Sequence, residues 1–168
     1  NAIDCIHTTA ASHGRVFIVE VMGHKVGWLT LHAGIAGGAD IILIPEIPYD
    51  INSVVKALEK RNKQGKKFSI LAVAEGAVSK EDAALSKKEL KAKKREKLYP
   101  SISYQIGQEI QERTGQEVRI TVPGHTQRGG GPGPYDRVIS SRLGSAAARL
   151  IIEGKFGYMV GFRNGEIV

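Results

Sequence analysis

Short, mostly apolar runs alternate along this chain with longer stretches of helical spacing. Val16–Met22 (VFIVEVM), Asp40–Ile44 (DIILI), Ser69–Ala74 (SILAVA) and Val118–Val122 (VRITV) predict strands, and Tyr158–Phe162 (YMVGF) predicts a last one. Between them, Gly27–Ala36, Asn52–Lys63, Ile102–Arg113 and Tyr135–Glu153 carry apolar positions three and four apart and predict helices. Gly23 follows the first run, Pro45 closes the second, and Glu75 with Gly76 ends the third. The first three runs are mostly apolar, and strands alternate with helices along the chain. That pattern belongs to parallel sheet covered by helices on each side. The expected fold is α/β, a three-layer sandwich around a mostly parallel sheet.

Sheets of this kind gather ligands at the carboxyl ends of their strands. Met22 and Gly23 end the first strand, Glu75 ends the third, and the stretch Pro123–Arg137 (PGHTQRGGGPGPYDR) follows the fourth. These loops are expected on one edge of the sheet. His125 and Arg128 stand three residues apart in the last of them, where an imidazole and a guanidinium can converge on a phosphate. Gly129–Gly131 follow and keep the backbone free to approach. Arg15 and Arg119 flank the first and fourth runs, and with Glu75 they complete the pattern of an anionic-sugar site assembled from loops. Taken one at a time, Arg15 reads as a solvated strand-flanking residue, Glu75 as a turn carboxylate and Met22 as core packing. Asp136 and Arg137 read as a helix start.

Composition narrows the class. The 168 residues suffice to bury the core of one domain, 42% are hydrophobic and 6% aromatic, and no apolar run is long enough to span a membrane. The net charge of +7 invites a nucleic-acid reading, but its distribution argues against one. Lys80–Lys97 holds eight basic and four acidic residues and reads as a solvated helix without aromatic side chains for stacking on bases. One cysteine, Cys5, excludes an internal disulfide, suits a reducing cytoplasm and reads as a small buried residue. His7, His13, His24 and His32 have no metal-ligand spacing, and GGGPG has no following Gly-Lys-Ser or Gly-Lys-Thr. Because the chain begins at Asn1 and ends at Val168 inside a strand-like run, it reads as a piece of a longer protein.

RVFIVEVMGHKVGW, AGIAGGADIILIPE, AVAEG and RITVPGHTQRGGGPGPYDR resemble consecutive motifs of the 6-phosphofructokinase family. The resemblance covers nearly the whole chain apart from a basic insert near residues 77–100. It implies two α/β lobes with a sugar phosphate between them. Residues 1–125 would be most of the second, substrate-binding lobe and 126–168 the return into the first. The nucleotide-binding part, with its glycine-rich loop and a TIDND-like segment holding the catalytic base, is expected upstream, so this piece alone is expected to be inactive.

The implied activity is transfer of a phosphoryl group to the 1-hydroxyl of fructose 6-phosphate, the glycolytic kinase reaction, with ATP and Mg²⁺. A pyrophosphate-dependent phosphotransferase is the alternative, and a noncatalytic sugar-phosphate-binding subunit a further one. The resemblance gives Arg119, His125 and Arg128 to the sugar phosphate, with Arg15 as another arginine of the set. Glu75 would meet sugar hydroxyls, and Met22 and Gly23 would line the sugar. It also implies a homo-oligomer, a dimer or tetramer, in which Arg15 and Arg119 reach a neighbouring subunit's site. Neither nucleic acid nor membrane is an expected partner, although Lys87–Lys97 is the segment a polyanion-binding reading would use. His24 stands where these enzymes often carry an arginine near the transferred phosphate. His7 and Gln64 replace basic residues that contact effector phosphates, while Asp40 and Lys66 are compatible, so ordinary control by ADP and phosphoenolpyruvate is not expected.

Overall fold

The computed structural model describes residues 1–95 and 99–168. In chain order, α1 (Ala2–His13), β1 (Val16–Val21), α2 (Trp28–Ala36), β2 (Ile41–Leu43), α3 (Ile51–Lys63) and β3 (Ser69–Ala74) are followed by α4 (Lys80–Ala83), α5 (Lys87–Arg95), α6 (Ile102–Thr114) and β4 (Val118–Thr121). The chain divides into two units, Asn1–Gln127 and Arg128–Val168.

In the first unit the strands form one sheet in the order β2-β3-β1-β4, every pair parallel. Every residue of β1 and β3 is buried, in keeping with their mostly apolar runs. The pleat sends alternate side chains to opposite layers. Val16, Ile18, Leu71 and Val73 pack with Leu58, Ile106 and Ile110 of α3 and α6. Phe17, Val19, Val21, Ile70 and Ala72 pack with Ile3, Ile6 and Ala10 of α1 and with Ala33 of α2. Each fully buried Ile or Leu here contributes about 1.5–3 kcal/mol relative to exposure. Glu20 is the one charged residue of the β1 run, and it is buried. Its Oε2 accepts the Ser103 amide at 3.2 Å, so this carboxylate sits at the first turn of α6, where exposed amides favour negative charge.

Three readings of the pattern need correction. α1 stands outside the expected elements, because its Thr, Ser and His residues are weak helix formers and packing of Ile3, Ile6 and Ala10 on the sheet decides its conformation. That stripe turns position 5 outward, so Cys5 is exposed rather than buried. The expected helix over Lys80–Lys97 is two helices, α4 and α5, and residues 96–97 lie outside the described residues.

The second unit contains α7 (Pro134–Ile152), which begins with Pro134 and with Asp136 Oδ2 accepting the Gly133 amide at 3.3 Å. The strand expected over Tyr158–Phe162 is displaced. A hairpin pairs β5 (Phe162–Arg163) with β6 (Glu166–Ile167) instead, and residues 158–160 are not in a strand. Asn164 at φ +52° and Gly165 at φ +87° make the tight turn, and Arg142 fixes the hairpin by lying 5.4 Å from the Phe162 ring and donating to the Gly165 carbonyl at 3.1 Å. No helix among the described residues is long and apolar enough to cross a membrane.

Candidate functional site

The loop leaving β1, residues 22–27, is held by acceptors from the ends of all three other strands. Gln127, beyond β4, accepts the Met22 amide on Oε1 at 3.2 Å. Glu75, at the end of β3, accepts both the Gly23 amide at 3.1 Å and the His24 amide at 2.6 Å on its own Oε1. Glu46, beyond β2, accepts the Gly27 amide at 2.8 Å. The Val26 amide closes a turn on the Gly23 carbonyl at 3.0 Å. Five backbone donors of an exposed loop are thereby satisfied by fixed partners rather than by water.

Parallel register makes this convergence possible. Val21 pairs with Ala74, and the Glu75 amide donates to the Val21 carbonyl at 3.0 Å, so the ends of β1 and β3 lie side by side. Close approach then restricts the next residue. A Cβ at Gly76 would stand 1.9 Å from the His24 carbonyl oxygen, so no side chain fits there without moving the loop. His24 itself takes φ +54°, an uncommon conformation for a residue with a side chain.

His125 is exposed in the 3₁₀ turn Gly124–Arg128 that follows β4. The turn is closed by Thr126 Oγ1 donating to the Pro123 carbonyl at 2.6 Å and by Gln127 Nε2 donating to the Gly124 carbonyl at 3.2 Å. Gln127 therefore ties this turn to the β1 loop through its two amide atoms. Arg128 ends the same turn, is exposed, and opens the second unit. Met22, Gly23, Glu75 and His125 thus share the carboxyl edge of the sheet, as the strand order required.

Arg15 and Arg119 do not. Arg15 precedes β1 and Arg119 pairs with Phe17 near its start. From Arg15 to Met22 is roughly 23 Å at about 3.3 Å per strand residue, more than a side chain spans. Both arginines meet Glu117 instead: Arg15 Nε pairs with Oε2 and Arg119 Nη2 with Oε1. The Val16 amide donates to the Glu117 carbonyl at 3.0 Å and fixes this corner.

Other residues singled out in the sequence are engaged elsewhere. Asp40 pairs with Arg61 at 2.8 Å and accepts the Ile70 amide at 2.9 Å, while His7 Nε2 contacts the Gly38 carbonyl at 3.2 Å. Glu46 and Glu75 spend carboxylate oxygens on backbone amides, and no group of three or more His, Cys, Asp or Glu that could hold a metal occurs among the described residues. These residues do not fit a Mg²⁺ shell. Sequence reasoning missed Glu46, Gln127 and Glu117. The first two lie in quoted motifs, immediately after Pro45 and between His125 and Arg128, where a long-range bond to an amide leaves no local pattern.

A family model described as Phosphofructokinase matches residues 1–151. An ATP-dependent 6-phosphofructokinase of Spirochaeta thermophila is 54% identical over 167 residues, which is 99% of this chain and 46% of that protein. The chain therefore spans about half the length of the curated relatives it matches. Among solved structures, phosphofructokinase from Saccharomyces cerevisiae superposes with a TM-score of 0.81 at 34% identity, over 99% of this chain and 21% of that one. A pyrophosphate-dependent phosphofructokinase from Marinobacter aquaeolei shares the fold, with a TM-score of 0.72 at 21% identity, over 97% of this chain and 39% of its own.

Proposed function

The chain belongs to the phosphofructokinase family, and from that premise we propose that its full-length protein transfers a phosphoryl group from ATP to the 1-hydroxyl of fructose 6-phosphate. Residues 1–125 contribute the substrate-binding lobe and residues 126–168 the return into the other lobe. His125 and Arg128 take the 6-phosphate, where a guanidinium fork and an imidazole match its oxygens. Met22 and Gly23 line the sugar, and Glu75 presents its carboxylate to the hydroxyls. The protein assembles as a homo-oligomer, and Arg15 and Arg119 of one copy serve the site of a neighbour. None of these residues is assigned as the base.

The observation that supports this reading most is the anchored loop 22–27, held from three strand ends beside His125. Phosphoryl transfer needs an acceptor hydroxyl in line with the donor more than it needs covalent help from the protein. A loop with five of its six amides bonded offers a fixed wall for that alignment.

Parallel coupled assays of the full-length protein with fructose 6-phosphate test the proposal, one with ATP and one with pyrophosphate. Turnover with ATP is expected. Turnover with pyrophosphate alone moves the protein to the reversible phosphotransferases, and turnover with neither donor favours a noncatalytic sugar-phosphate-binding subunit.

A further inference from the structure

The corner where β1 and β4 begin holds two guanidiniums on one carboxylate, each on a different oxygen. We infer that Glu117 is an internal competitor for the phosphate of the sugar substrate: it occupies the place between Arg15 and Arg119 that a phosphate monoester takes. The inference rests on the proposed reading that these two arginines serve a sugar-phosphate site.

Three observations carry it. First, the cluster is displaceable. The side chains of Glu117 and Arg119 are 43% and 57% exposed, and surface ion pairs of this kind are weak. Second, the fold does not depend on the pairs. Backbone bonds of the parallel ladder from Val16 to Thr121 and the Val16 amide on the Glu117 carbonyl already set the register of β1 against β4. Third, the geometry preorganises the cations. Glu117 immediately precedes β4 and Arg119 lies within it two residues on, while Arg15 approaches from the position just before β1. A carboxylate offers two oxygens and one negative charge at that focus. A phosphate monoester offers three oxygens and close to two charges, so it replaces the carboxylate favourably once it arrives. Until then the carboxylate lowers the apparent affinity, because the substrate must first break both pairs.

Removing the competing charge therefore tightens binding. In the full-length enzyme, Glu117→Gln is expected to lower half-saturating fructose 6-phosphate about two- to tenfold, since exposed ion pairs are weak. Half-saturating phosphoryl donor should not follow it. Glu117→Ala, a second variant lacking the charge, should shift in the same direction, and tightened binding is not what a loss of structure produces. Unchanged or raised half-saturation in both variants overturns the inference. Arg119→Ala measured alongside separates the two failures. If it raises half-saturation while the Glu117 variants do nothing, the competitor falls and the reading of the arginines stands. If neither position responds, both fall.

Discussion

At the carboxyl edge of the sheet, polar side chains bind backbone amides; at the amino edge of β1 and β4, they bind one another. Glu46, Glu75 and Gln127 each reach from a different strand end to the main chain of a single loop. Arg15, Glu117 and Arg119 touch only through side-chain atoms, on a corner whose backbone register is already set. One fold thus holds polar side chains in two ways. Groups locked to the main chain make a rigid wall, suited to positioning a reacting hydroxyl. Groups held by half-exposed ion pairs stay exchangeable, suited to an anion that comes and goes or that belongs to another copy.

Substitutions in the full-length protein probe each edge separately. The largest effect is expected from Gly76→Ala at the rigid edge. Its new methyl would collide with the His24 carbonyl, and displacement of the loop should lower kcat/KM for fructose 6-phosphate by about 100-fold, since misplacement on the order of 1 Å costs that much. Arg128→Ala should raise the KM for fructose 6-phosphate roughly 10- to 100-fold in steady-state assays, the loss of a charge-assisted bond to phosphate. A KM that stays put would remove Arg128 from the site.

At the exchangeable edge the effect should be smaller. Arg119→Ala is expected to raise half-saturating fructose 6-phosphate about tenfold at most, because the position is exposed and screened by solvent. Smallest of all is Gln127→Ala, which deletes one acceptor for the Met22 amide and should cost about 1 kcal/mol, a fivefold loss in kcat/KM. An equal effect of Gln127→Ala and Gly76→Ala would mean that the remaining anchors do not hold the loop once Gln127 is gone.

Much of this arrangement was readable from residue order. β1 and β3 declare themselves because strands buried on both faces are apolar at nearly every position, and the parallel order then puts Met22, Gly23, Glu75 and His125 at one edge. The same rule should have separated Arg15 and Arg119, which stand at strand starts, from that edge; flanking a strand says nothing until the end is named. α1 was not legible because tertiary packing of three small or apolar residues outweighs a weak helical sequence. Glu46 and Gln127 were not legible because their partners lie 19 and 105 residues away along the chain, and Glu117 because its bond to Arg15 spans 102 residues. The displaced last strand did carry a signal, Asn164-Gly165, whose turn geometry fixes where pairing starts.

The two edges of the sheet are proposed to serve the sites of different copies, and subunit mixing is the decisive experiment. Full-length Arg128→Ala protein would be dissociated and reassembled with full-length Arg15→Ala/Arg119→Ala protein, and the hybrids isolated by differential tagging. If the amino-edge arginines act on a neighbour, each interface in a hybrid can restore one site with every arginine intact. Activity at subsaturating fructose 6-phosphate should then exceed that of both parents several-fold. Hybrids of verified composition that show only the average of their parents would mean that these arginines do not serve a neighbour's site.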